Sequence, residues 1–241
     1  MHLEPLETSS YLPIVGLIII IILFTLLHYF FEKLISRLYK LVSLERTGIQ
    51  IFTRATLLII FNFVVLTIFG LLNGKLFSFS EPRTGMTILL VGIGIAILVA
   101  LLSFLALKAG YGGGYKVLAD TPILDKGLSL ATFILLAGPS EDIFFIGFAQ
   151  NALTPSLGWG AIVVYLVLFV AYHYANVLSG VEKKQEFLGT LPVRLIVSFL
   201  LSLSFYLTGS LVYGFIVHNL VDTLSYVILL VVSKPKPETA E

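Results

Sequence analysis

Residues 191–232 read LPVRLIVSFLLSLSFYLTGSLVYGFIVHNLVDTLSYVILLVV, about forty residues in which only Gly209 interrupts the apolar stretch between Arg194 and the chain's last span. A helix crosses the hydrocarbon core of a bilayer with about 20 mostly apolar residues. One continuous span of twice that length is excluded, so the stretch is read as two helices, 191–208 and 210–232, folded back in a tight hairpin at Gly209. The same window, moved towards the N-terminus, finds five more spans at 11–31, 55–73, 86–107, 127–150 and 159–178. Composition agrees, with 58% hydrophobic and 12% charged residues, where a soluble domain carries roughly 25% charged. The expected fold class is all-α: a polytopic integral membrane bundle of about seven transmembrane helices.

Several function classes fall away at once. Lys and Arg number 15 against 14 Asp and Glu, for a net charge of +1, so no basic excess is available to hold nucleic acid. The chain has no cysteine, which removes disulfides, Cys-ligated metals and a thiol nucleophile. Glu4 and Glu7 before the first span, without a cation, argue against a cleavable signal. No segment between spans is long enough for a second domain, so 1–241 is read as one membrane domain, with 233–241 a disordered cytoplasmic tail. The glycines at 110 and 112–114 precede Lys116, but Tyr115 and Val117 stand where a phosphate loop needs Gly and Ser or Thr, and a flexible connector is expected. Alternate loops carry thirteen cations, among them Lys33, Arg37, Arg54, Lys108, Lys183 and Arg194, against Lys75 and Arg83 on the other side. Cations accumulate on the cytoplasmic face, so the N-terminus is expected outside and the C-terminus inside.

Chemistry must come from ionisable groups within the spans. These are Glu141 and Asp142 in the fourth, His173 in the fifth, and His218 and Asp222 in the seventh. An ionised acid costs about 2.5 to 3.5 kcal/mol at a helix centre, so such groups face a cavity and have partners. His218 and Asp222, four residues apart, share a helix face, and Asp222 is expected to orient the imidazole or join it at one centre. Glu141 and Asp142 are neighbours, about 100° apart, so one is expected to react and the other to support. Pro139 should kink the helix just ahead of them, with Ser140 as a kink hydroxyl. His28, near the inner end of the first span, is read as interfacial. Phe145 and Phe169 are expected to wall the cavity.

Three segments, Glu141-Asp142-Ile-Phe-Phe-Ile146-Gly147, Phe169-Val-Ala-Tyr-His173 and His218-Asn-Leu-Val-Asp222, resemble the ordered motifs EExxxR, FxxxH and HxxxN/D of the CAAX-protease and bacteriocin-processing family of intramembrane peptidases, its type II CAAX prenyl endopeptidases in particular. The resemblance covers about 112 residues, 121–232, and implies a four-helix catalytic core. Two positions depart from the pattern: Asp142 replaces the second Glu and Ile146 the Arg. An Arg one turn after Asp142 would neutralise it. With Ile146 there, Asp142 is expected to be protonated, to find Gln150 or another helix, or to see water, and its neutralisation to be mild.

Peptide hydrolysis needs an activated water and a stabilised oxyanion. Glu141 with His173 can supply the first and His218 with Asp222 the second, the assignment the resemblance also implies, with Asp142 supporting. No cofactor is favoured. The alternative is Zn²⁺ on Glu141, His173 and His218, since two His and one carboxylate suffice for a catalytic zinc. Substrates implied by the resemblance are prenylated CAAX peptides or unmodified leader peptides, met at the lipid bilayer. Two other classes stay open: a catalytically degenerate scaffold or bacteriocin-immunity protein of the same fold, and an ion or proton pathway, against which the absence of an inverted repeat counts. One difficulty is depth. By these boundaries His173 lies about five residues from the inner end of its span and Glu141 and His218 about 13 or 14 from theirs, roughly 12 to 14 Å apart at 1.5 Å per residue. Either the fifth helix runs past Ser179 or the boundaries shift.

Overall fold

The structure, a computed structural model, describes residues 11–41, 47–110, 121–178 and 182–233. The leader with Glu4 and Glu7, the glycines at 112–114 with Lys116, the point past Ser179 where the fifth helix was expected to extend, and the tail from 234 lie outside them. The described residues are helical throughout, without a strand. In order they form α1 (Tyr11–Leu41), α2 (Thr47–Ile68), a 3₁₀ turn (Gly74–Phe77), α3 (Pro82–Lys108), α4 (Ile123–Leu135), α5 (Ala137–Asp142), a π-helix (Ile143–Gln150), α6 (Asn151–Leu157), α7 (Gly160–Leu178), α8 (Lys184–Thr208) and α9 (Val212–Val232). Six of these helices are long and apolar enough to cross a membrane, and the run from α4 to α6, bent by 58°, is a seventh if it counts as one broken span. The chain is a multi-pass membrane protein.

The hairpin at the end of the chain forms where glycine permits it. Gly209 closes α8 in the left-handed region, φ 66°, and its N–H reaches Phe205 O at 2.7 Å. Ser210 Oγ then accepts the Val212 N–H that opens α9. Along α9 runs α3, and the approach depends on missing side chains: a Cβ on Gly85 would enter the Tyr213 ring, and one on Gly92 would lie 2.9 Å from Val217 Cγ1. Contact this close replaces the hydrophobic effect, which gives no preference for helix over lipid tail.

The fourth span is the irregular one. It breaks at Leu136, bends by 58°, and restarts at Ala137 with Pro139 in its first turn, so the expected kink is present. Beyond Asp142 it winds as a π-helix whose eight residues are all buried. Such segments are rare and gather at functional sites. Gln150 at its end makes a reciprocal pair with Ser202, donating to the carbonyl at 3.0 Å and accepting from Oγ at 2.7 Å. Both are fully buried, and a polar group at this depth is tolerated only when paired.

Four expectations are corrected. Helix α1 continues to Leu41 and α2 starts at Thr47, so Lys33, Arg37 and Arg54 sit on helices and not in a long loop. Helix α8 begins at Lys184, seven residues before the expected 191, because Lys183 and Glu186 cap it, the Glu186 carboxylate accepting from the Lys183 N–H. His28 is not interfacial: it is fully buried among the rings of Phe61, Phe144, Phe145 and Tyr172, the α1 face that carries it having turned inward. The depth mismatch does not separate the site, since Glu141 Oε2 lies 3.8 Å from His173 Nε2 and 4.0 Å from His218 Nε2.

Candidate active site

Glu141 is placed by the restarted helix, His173 by α7, and His218 and Asp222 by α9. Glu141 Oε2 lies 3.8 Å from His173 Nε2 and 4.0 Å from His218 Nε2. It is buried and has no hydrogen-bond partner among the described residues. Each imidazole is turned by a bond at its other nitrogen. His173 Nδ1 lies 2.9 Å from the carbonyl of Phe169, one turn back. A carbonyl only accepts, so Nδ1 carries the hydrogen and Nε2 faces Glu141. The Phe169 ring also lies against the imidazole, centroids 4.3 Å apart.

His218 Nδ1 is 3.1 Å from both oxygens of Asp142. This gives Asp142 an imidazole partner on another helix where its own helix offers none. Of the outcomes foreseen for it, the partner on another helix is the one observed; Gln150 is engaged with Ser202. Asp222 shares the face of His218 as expected, its Oδ2 3.7 Å from Nε2, on the Glu141 side. The neighbours Glu141 and Asp142 thus face opposite nitrogens of one imidazole, Asp142 bonded at 3.1 Å and Glu141 4.0 Å away, in keeping with their offset of about 100°.

A cavity of about 110 Å³ opens in front of this group, walled among others by Glu32, Arg54, Glu141, Tyr172, His173 and Asp222. His218 is not in its wall but behind it, with 9% of its side chain exposed. Phe145 and Phe169 are not in the wall either: they are buried behind Tyr172 and His173, ring against ring, because the π-helix turns Phe145 into the core. Ser140 Oγ donates to Ala137 O at 2.8 Å, a kink hydroxyl as expected.

The far wall went unrecognised in the sequence. Arg54 Nη1 bonds Glu32 Oε1 at 2.8 Å, and Tyr172 Oη donates to the same carboxylate. Glu32 fell one residue outside the first span, Arg54 counted as a loop cation, and Tyr172 stood beside His173 without a signal. Asn176, one turn after Tyr172, also lines the cavity, and its amide in α7 was a cue left unread.

The donor set of Glu141, His173 and His218 suits zinc, but the spacing does not. Bonds of about 2.0 Å in a tetrahedral shell put ligand atoms roughly 3.3 Å apart, while these stand at 3.8 and 4.0 Å. Among the described residues no group of three His, Asp or Glu is close enough to hold a metal ion. The same spacing suits hydrogen bonds of about 2.8 Å to one shared oxygen atom.

Fold and site together define a helical membrane protein with acids and imidazoles gathered around a small cavity inside the bundle. Residues 124–224 match the family model of the type II CAAX prenyl endopeptidase Rce1-like proteins, a protease family, which bears out the resemblance over that segment. Comparison with curated proteins and with solved structures gave no match. The matched segment contains Glu141, Asp142, His173, His218 and Asp222. Glu32 and Arg54, which complete the cavity, come from helices ahead of it.

Proposed function

We propose that the chain is an intramembrane endopeptidase that hydrolyses a peptide bond, prenylated or unmodified, with a water activated by Glu141 and His173. The observation that carries this reading is the convergence of Glu141 Oε2 on two Nε2 atoms, 3.8 and 4.0 Å away. A water bound there gives its proton to the Glu141 carboxylate while its oxygen attacks the scissile carbonyl. The protonated form of His218, backed by Asp142, presents its Nε2 hydrogen to the oxyanion, with Asp222 beside it. Collapse of the intermediate returns the proton from Glu141 to the leaving amine. The cavity is small beside pockets of about 300 to 1,000 Å³ that enclose whole ligands, so it accommodates the reacting bond and leaves the flanking peptide outside.

The competing reading is a bundle that has lost turnover, which Ile146 in place of the motif Arg favours. Purified protein in detergent, given farnesylated and unmodified peptides and assayed for bound metal, separates the two. Cleavage by a preparation with less than stoichiometric metal is expected. No cleavage of any peptide supports the scaffold.

The cation distribution supports a topology with the 183 end of α8 in the cytoplasm and Arg83 outside. A reporter fused after Lys183 should score as cytoplasmic and one at Arg83 as external, and both on one side would contradict this topology.

A further inference from the structure

The backbone just ahead of Glu141 is where the fourth span breaks, and a break at membrane depth frees polar groups that lipid cannot satisfy. A helix restarted after Leu136 leaves the N–H groups of its first turn without helical acceptors. Pro139 has none to offer, and the Ser140 N–H returns to Leu136 O at 2.9 Å. The Gly138 N–H is taken by Asn219 Oδ1 at 2.7 Å. Two residues on, the Ser140 carbonyl accepts from Asn62 Nδ2 at 2.8 Å, deep in α2. An N–H only donates and a carbonyl only accepts, so the orientation of both amides is fixed by their partners.

The two bonds come from two different helices, α2 and α9, and end on Ser140 and Gly138, within three residues of Glu141. Asn219 is also the neighbour of His218. Here α9 comes so close that a Cβ on Gly138 would lie 3.0 Å from Asn219 Oδ1 and 3.2 Å from His218 Cβ. The Asn219 bond therefore sets the separation between the segment bearing Glu141 and the helix bearing His218. Asn62 ties the same segment to α2, outside the family-matched region.

We infer that Asn62 and Asn219 are positioning residues, which clamp the 138–140 backbone so that Glu141 faces His173 and His218. The inference rests on the reading of Glu141 as the group that activates water. A displacement of about 1 Å at such a group costs on the order of 100-fold in rate, and neither asparagine needs to touch substrate to exert it.

The two amides act with opposite ends, so the same isosteric change separates them. In the purified full chain, Asn219→Asp keeps an acceptor for the Gly138 N–H and should hold kcat within about threefold, while Asn219→Leu should lower it roughly 100-fold. Asn62→Asp turns an oxygen towards the Ser140 carbonyl and should also lower kcat roughly 100-fold. KM is expected to stay within about threefold throughout, and the loss to persist in variants whose Tm in detergent equals that of the wild type. Where a variant fails to fold, Gly138→Ala probes the same separation from the other side and should lower kcat with KM kept. Wild-type kcat in Asn62→Asp and Asn219→Leu, or in Gly138→Ala, with Glu141→Gln inactive, overturns the clamp and leaves the peptidase. Wild-type activity in Glu141→Gln overturns the peptidase itself.

Discussion

Glu141→Gln is expected to lower cleavage by about 10²- to 10⁴-fold, the range spanned by loss of a positioned general base, while expression and Tm in detergent stay at wild-type values. The substitution keeps the size of the side chain and an oxygen in reach of both imidazoles, and takes away only the capacity to accept the water's proton. Glu141 Oε2 has no hydrogen-bond partner in the protein among the described residues, so the change breaks no bond that holds the bundle. The loss should appear in kcat and leave KM nearly unchanged. Unaltered turnover would show that another group activates the water, or that the chain acts without chemistry.

The second large effect is expected at Asp142, which touches no substrate. Its side chain is 1% exposed and lies 3.1 Å from His218 Nδ1 through both oxygens. In Asp142→Asn the amide carbonyl can still accept from Nδ1, but it brings no charge to balance an imidazolium, and the flipped amide would favour the wrong tautomer. A fall in kcat of about 100-fold or more is expected, the size seen when the group that orients a working histidine is lost. Asp142→Ala goes further and leaves the buried nitrogen without a partner, at about 1–3 kcal/mol of stability. A steady-state assay of Asp142→Asn beside a thermal unfolding scan checks this; wild-type kcat would return Asp142 to a passive role.

That second prediction reverses what the sequence suggests, and the reason is instructive. The motif pattern pairs the second acid with an Arg four residues on, an intrahelical contact visible as spacing. Ile146 removes that contact and Asp142 then looks unpartnered. Its real partner is 76 positions away on α9, and nothing in helical periodicity reports which side chains two helices bring face to face. The spans themselves were legible, since each is a run of the length a bilayer demands, and so was the hairpin at Gly209, because glycine takes the left-handed turn there at no steric cost. The kink at Pro139 was legible too. The π-helix after it was not: its eight residues read as any apolar helix, and the wider winding that buries Phe145 depends on neighbours from other parts of the chain.

Glu32 and Arg54 show the limit at the membrane boundary. A hydropathy window ends a span where charge begins, yet both residues stay on helices and pair with each other, Glu32 mostly covered and Arg54 still 41% exposed. Charges that can pair extend a span beyond the point where its apolar run stops. The first two helices, which carry no motif, therefore contribute a cavity wall and, through Asn62, a hold on the backbone ahead of Glu141.

The most direct test of the account is hydrolysis in ¹⁸O-labelled water by the purified chain, with the new C-terminus read by mass spectrometry. The account predicts one ¹⁸O in the carboxyl of the wild-type product, formed in a single turnover, and at least about 100-fold less product from Glu141→Gln in the same time. Equal labelled product from both proteins, or no product from the wild type with any peptide offered, would contradict it.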